Sequence, residues 1–174
     1  MINIRPIRAN EIQTAKHVIF EVAYGIFGWD GTLEESIQHF ESSDEFSDMD
    51  NFQAEYFDRG GLFLVVLDDE TVIGSGAIRR MDEDTAELKR VWLLEAYHGQ
   101  GLGFRVVQQL LEFASQKGCA RVRLQTHPLQ ERAIDFYRKI GFHEIPCYND
   151  DTGEVSMEIL LPGTNAQINP SSVQ

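Results

Sequence analysis

The sequence predicts one α/β domain of the α+β kind, a mixed and mostly antiparallel central sheet flanked by helices, with one parallel β-α-β crossover. Three observations carry that prediction. Apolar runs alternate with short polar turns over residues 62–94; a glycine cluster at 99–103 opens an amphipathic stretch; and a second strand, helix, strand succession runs to residue 161. A chain of 174 residues, 43% hydrophobic and 25% charged, can bury one core without a disulfide or a structural metal. Residues 1–161 are therefore expected to form a single domain, and the polar tail 162–174, rich in Pro, Ser and Asn, to be disordered.

Residues 1–6 alternate like a short strand. From Asn10 onward Ile12, Ala15, Ile19, Val22, Ala23 and Ile26 recur at helical spacing, with Asn10 and Gln13 resembling a capping box. Thr32 with Glu35 repeats that signal before a short helix through Phe40. The acidic stretch 41–50 then leads to another short helix near 51–57, and this region is expected to be loosely held. Residues 62–67, the turn Asp68-Asp69-Glu70 and residues 72–80 read as a hairpin, and 86–94 as a third antiparallel strand. Val107, Leu110, Leu111 and Ala114 mark one face of a helix over 102–117, which Gly118 stops. The strand 120–125 follows, so a parallel crossover is expected. Pro128 is placed in the first turn of a helix whose apolar face is Ala133, Phe136, Tyr137 and Ile140, ending at Gly141. Residues 154–161 alternate as a last strand.

Composition narrows the function classes. A net charge of −13 disfavours nucleic acid as the main partner and favours cationic ones, although an acidic surface that merely keeps the chain soluble explains the same number. No apolar run approaches the roughly 20 residues of a membrane span, so no membrane partner is expected. Residues 1–6 lack a secretory pattern, so a cytoplasmic location is expected. Cys119 and Cys147 form no CxxC, and His17, His39, His127 and His143 show no ligand spacing, so no metal is expected.

A strand running into Gly99-Gln100-Gly101-Leu102-Gly103 and then a helix presents bare backbone N–H groups at a helix N-terminus, which is a site for phosphate. The turn fails the dinucleotide pattern, because Phe104 stands where the last glycine is needed, and no P-loop lysine follows. By itself the cluster is also compatible with a tight connection.

The stretch Glu87-Leu88-Lys89-Arg90-Val91-Trp92-Leu93, followed by Tyr97-His98-Gly99-Gln100-Gly101-Leu102-Gly103, resembles the fourth strand and acetyl-CoA motif of the GNAT N-acetyltransferases, R/Q-x-x-G-x-G/A. Gly101 and Gly103 match, while His98 stands in place of Arg or Gln. The stretch from Gln130 to Phe142, with Ala133, Phe136, Tyr137, Gly141 and Phe142, resembles the family's N-x-x-A-x-x-F-Y-x-x-x-G-F, with Gln130 in place of Asn. The resemblance covers residues 62–161.

It implies a GNAT-like central sheet of about six to seven strands and transfer of the acetyl group of acetyl-CoA to a primary amine of a small molecule or peptide, by direct attack in a ternary complex. Val91 and Leu93 are then the main-chain contacts to pantetheine, with the Leu93 N–H on the thioester carbonyl. His98, Gly99, Gln100, Gly101, Leu102, Gly103, Phe104 and Gln130 complete the cofactor set. Tyr137 is the implied general acid and Glu87 the implied base. By periodicity alone Tyr137 is one more aromatic on an apolar face, and Glu87 equally pairs with Lys89 or Arg90 or faces solvent; Glu21, Asp30 or bulk solvent are the other bases. Consecutive Lys89 and Arg90 break the strand's alternation, as a bulge would. Glu34, Glu35, Asp48 and Asp50 are expected to attract a cationic acceptor. Since many relatives are dimers, a homodimer is the assembly implied. A catalytically silent acyl-CoA sensor on the same fold is the alternative, and a plain scaffold without CoA affinity a third.

Overall fold

The computed structural model describes residues 1–149 and 153–163. The elements in order are β1 (Ile2–Pro6), α1 (Ile12–Phe27), α2 (Leu33–Glu41), α3 (Ser47–Asp50), β2 (Leu62–Asp68), β3 (Thr71–Arg80), β4 (Thr85–Leu93), α4 (Leu102–Gln116), β5 (Arg121–Thr126), α5 (Glu131–Lys139), β6 (His143–Ile145) and β7 (Val155–Leu160). Among the described residues, seven strands form one sheet in the order β1-β2-β3-β4-β5-β7-β6. Of these, only β4 and β5 run parallel, joined through α4, and every other pair is antiparallel. The seventh strand, β6, carries no readable signal in the sequence, since three residues are too few to show alternation.

The sheet has a core on each face, and β2 explains why its sequence is apolar throughout. Leu64 and Val66 enter the cluster beneath α4 and α5, while Phe63, Val65 and Leu67 enter the cluster beneath α1. A strand buried on both sides has no polar face to alternate with. α4 approaches β3 closely at Gly76, where a β-carbon would lie 2.5 Å from Val106 Cγ1 and 3.2 Å from Leu110 Cδ1. That contact seats α4 directly on the sheet.

Four expectations need correction. The segment 41–57 is not loosely held: Phe46, Met49 and Tyr56 are buried, and Phe46 meets Phe20 at 4.7 Å between ring centroids. Its acidic residues conceal an apolar minority that fills the second core. Residues 53–57 form a π-helical turn, closed by Asp58 N–H donating to Gln53 O at 2.8 Å. The start of α1 is secured not by Asn10 with Gln13 but by a preceding 3₁₀ turn, in which Arg8 N–H donates to Glu11 Oε2 at 2.8 Å. Ile26 is 40% exposed, because the last turn of α1 extends past the core before Gly28 ends it at φ +59. Pro128 precedes α5 in a turn closed by Gln130 N–H on His127 O at 2.8 Å, where its fixed φ suits the second position. The Thr32 and Glu35 capping box is present, each side chain bonded to the other's N–H.

Candidate active site

The site is built around an irregularity in β4. Ser75 pairs with Trp92 and Ala77 with Lys89, so Arg90 and Val91 together oppose the single residue Gly76. Arg90 is left-handed, φ +56, a conformation costly for a residue with a β-carbon. It is held there from three sides. Ser75 Oγ donates to Arg90 O at 2.7 Å, the guanidinium bonds both Asp48 oxygens at 3.1 and 2.6 Å, and it lies 4.5 Å over the Phe46 ring. A bulge is therefore present, one residue beyond the break in alternation at Lys89 and Arg90, and a residue 42 positions away enforces it.

Next to the bulge the sheet opens. Parallel pairing of β4 with β5 covers only Thr85 to Glu87 against Arg121 to Arg123, and β5 continues with β7 alone. Leu94 N–H donates to Ile73 O, and Leu93 sits opposite Gly74. By the alternation of an antiparallel ladder, the main-chain groups of Leu93 then face away from β3, into the opening. The Leu93 carbonyl accepts from His98 Nε2 at 2.9 Å.

The strand leads through a 3₁₀ turn at Glu95–Tyr97 to the glycines. Gly99 and Gly101 have φ +76 and +74, and a β-carbon at either would meet no atom within 4 Å. Left-handed backbone, not crowding, is what requires glycine here. Gly101 caps α4, and the first N–H with a protein acceptor is that of Arg105, on Gly101 O at 3.1 Å. Among the described residues, the N–H groups of 99–104 have no protein acceptor. Aligned N–H groups at the positive end of a 15-residue helix make an anion cradle. Leu102 is buried beneath it, while Phe104 is 49% exposed at its edge.

His98 does not reach into this cradle. A carbonyl only accepts, so Nε2 carries the proton, and the ring ties the loop to Leu93 with a buried, unpartnered Nδ1. Gln130 Oε1 is likewise spent, accepting from Thr126 Oγ1 at 2.9 Å and His127 N–H at 3.1 Å to close the turn before α5; its amide N–H groups have no partner among the described residues. Tyr137 lies on the same face as the cradle, in the core cluster with Leu102 and Leu124. It packs between Phe136 and Phe142, with ring centroids at 5.3 and 5.5 Å. Burial pushes its phenol well above the ordinary tyrosine range, so it keeps its proton at any physiological pH.

Glu87 points to the opposite face. Its partners are neither Lys89 nor Arg90. Arg79 Nε, directly across the ladder, donates to Oε2 at 3.0 Å, and the Tyr148 hydroxyl donates to Oε1 at 3.3 Å. Burial first, and Glu87 second, raise the Tyr148 phenol above its usual range. Arg79 also reaches Glu55 at 3.2 Å. Beside this network a cleft of about 310 Å³ opens between Arg79, Lys89 and Arg90 on the sheet and Glu45, Asp48 and Glu55 on the facing wall. The acids expected to draw in a cation are mostly committed: Glu35 to its cap, Asp48 to Arg90 and Tyr56, Asp50 to Lys16. Glu34, Glu21 and Asp30 are exposed. Tyr148 and Arg79 were missed because no motif marks them; only the register of β3 on β4 and the path after β6 bring them to Glu87. Among the described residues no His, Cys, Asp and Glu cluster could hold a metal, and no helix is long and apolar enough to cross a membrane.

The overall fold is shared with several acetyltransferase structures. One from Staphylococcus aureus superposes with a TM-score of 0.79 at 17% identity, covering 93% of this chain and 100% of the other. The PaiA N-acetyltransferase of Thermoplasma acidophilum, solved in complex with coenzyme A, gives 0.75 at 22% identity over 92% and 99%. The model of the acetyltransferase (GNAT) family matches residues 29–142, and the chain belongs to that family. Its relatives include YjgM, an uncharacterized N-acetyltransferase of Escherichia coli, 29% identical over 65% of this chain and 70% of that one. A thialysine N-epsilon-acetyltransferase of Bos taurus is 31% identical over 33% of this chain and 34% of the other.

Proposed function

We propose that the protein transfers the acetyl group of acetyl-CoA to a primary amine, with both bound at once in the opening between β4 and β5. The observation that carries this reading is the run of unpartnered N–H groups at 99–104, which opens onto the parted strands. Coenzyme A bears a diphosphate, and a chain of net charge −13 needs a local positive potential to take it up. Backbone dipoles supply that potential without a cationic side chain. The neighbour solved with coenzyme A, and the Salmonella typhimurium YncA structure solved with acetyl-CoA, support the same use of the fold.

Acetyl-CoA supplies an activated carbonyl with a thiolate leaving group. The Leu93 N–H, turned into the opening, is placed to donate to the carbonyl oxygen as charge develops there. Val91, in the bulge beside it, offers further main-chain contact to pantetheine. Tyr137 holds a proton in an apolar setting, on the side of the sheet where the cradle lies, and donates it toward the departing sulfur. Glu87, six positions before Leu93 on β4, accepts the proton of the attacking amine through intervening water. For that it must exchange its bond with Tyr148 for one to a water, while Arg79 keeps the carboxylate oriented.

Calorimetry with acetyl-CoA, followed by measurement of thiol release across a panel of amines, tests the reading. Saturable binding with amine-dependent release is expected. Binding without release would instead identify an acyl-CoA sensor, and no binding would refute the cofactor assignment. A ligand at about 100 times its dissociation constant should also stabilise the fold by roughly 2.7 kcal/mol.

A further inference from the structure

The floor of the cleft across β4 holds three cations, and they are not equivalent. Arg79 lies between the Glu55 and Glu87 carboxylates, and Arg90 is gripped by both oxygens of Asp48. Lys89, half-buried in the same cleft, forms no hydrogen bond or ion pair among the described residues, and Glu87 and Asp48 attract it only at longer range. An ammonium partly desolvated, with none of its three donors on a protein acceptor, is costly to keep. The cost is visible in the lysine's lowered pKa, for which burial is the first cause. Nothing in the packing of β4 requires a lysine at a bulge already secured by Arg90.

Resting on the transferase reading above, we propose that the acceptor carries a carboxylate that binds Lys89, and that it is an amino acid acetylated on a side-chain amine. Lys89 and Glu87 occupy alternate positions of one strand and so share a face, whereas the Leu93 N–H lies four residues further on, past the bulge. At about 3.3 Å per strand residue, the carboxylate site and the reacting carbonyl are separated by on the order of 10 Å. An amine borne on several methylenes spans that distance; an α-amine does not. The opposite wall carries Glu45, whose carboxylate has no side-chain partner among the described residues and complements an α-ammonium. An acceptor with positive charge alone would instead set its second cation beside Lys89, Arg79 and Arg90, which disfavours simple polyamines.

Matched pairs differing only in the carboxylate test this: L-lysine against cadaverine and L-ornithine against putrescine, followed by thiol release from acetyl-CoA. At least a tenfold higher kcat/KM is expected for the amino acid of the better pair. Lys89→Met should cut that preference about tenfold, mainly through KM, and Lys89→Arg should retain most of it. Because it removes a half-buried charge that has no hydrogen-bonded acid, Lys89→Met should also melt no lower than the parent protein. Diamines accepted equally well, a preference unchanged in Lys89→Met, or a lowered melting temperature would each overturn the proposal. Calorimetry of acetyl-CoA on parent and variant separates the two readings. Binding to both, with no amino acid acetylated, defeats the carboxylate proposal alone, whereas absence of binding to the parent defeats the transferase reading itself.

Discussion

The two sides of β4 solve recognition in opposite ways. At the mouth of α4 the binding groups are main-chain N–H donors from 99–104, and the one polar ring nearby, His98, is turned back onto Leu93. Across the strand the cleft is made of side-chain charges from separate elements, Arg79 of β3, Lys89 and Arg90 of β4 and Asp48 of α3, with Glu87 of β4 beside them. Main-chain sites depend on backbone conformation and tolerate side-chain change. Side-chain sites encode selectivity and are sensitive to single substitutions. This difference accounts for His98 standing where Arg or Gln is usual without loss of the cradle.

The largest effect is expected on the charged side. Asp48→Ala leaves the Arg90 guanidinium without a carboxylate and the Tyr56 hydroxyl without its acceptor, where the Arg90 and Asp48 side chains are only 15% and 12% exposed, and should cost about 3–5 kcal/mol in urea unfolding. The same pair sets an acid limit. Burial pushes the Asp48 carboxyl up, but Arg90 outweighs it and holds it below the ordinary value of 3.8. A carboxylate with a depressed folded-state pKa stabilises fully above its unfolded value and loses that contribution as pH falls through the folded one. The stability gap between parent and Asp48→Ala should therefore be flat above pH 5 and shrink below pH about 4. A gap that grew on acidification would contradict the assignment.

Next in size, Tyr137→Phe should lower kcat by about 100-fold or more while leaving acetyl-CoA affinity unchanged, since the ring packing with Phe136 and Phe142 survives. Full turnover in that variant would remove the phenol from the chemistry. On the main-chain side, Gly101→Ala places a β-carbon at φ +74 and should cost about 1–2 kcal/mol in stability, with weaker coenzyme A binding by calorimetry. His98→Ala is expected to have the smallest effect: loss of one loop-to-strand hydrogen bond, worth about 1 kcal/mol, with the cradle's affinity reduced only a few-fold. A hundredfold loss there would show that the ring, not the backbone, binds the anion.

The glycine loop and α4 were readable because they depend on neighbours in the chain: a polar turn, two left-handed positions and an apolar helical stripe. Tyr137 and the α5 face were readable for the same reason. The second core under α1 was misjudged, because Phe46, Met49 and Tyr56 are scattered among acids and only their joint burial reveals them. Glu87 was recognised as a residue, yet not its partners, since Arg79 and Tyr148 reach it through strand register and a connection that carries no periodic signal.

By itself the sequence determined the order of the elements other than β6, the bare backbone at the start of α4 and the aromatic face of α5, all consequences of interactions within a few residues. The tertiary structure alone decided that Arg90 is locked left-handed by Asp48 from a distant segment, that β4 and β5 separate beyond Glu87, and that Lys89 has no ion-pair partner among the described residues. Which charges neutralise one another depends on how separate elements pack, and pattern along the chain does not record it.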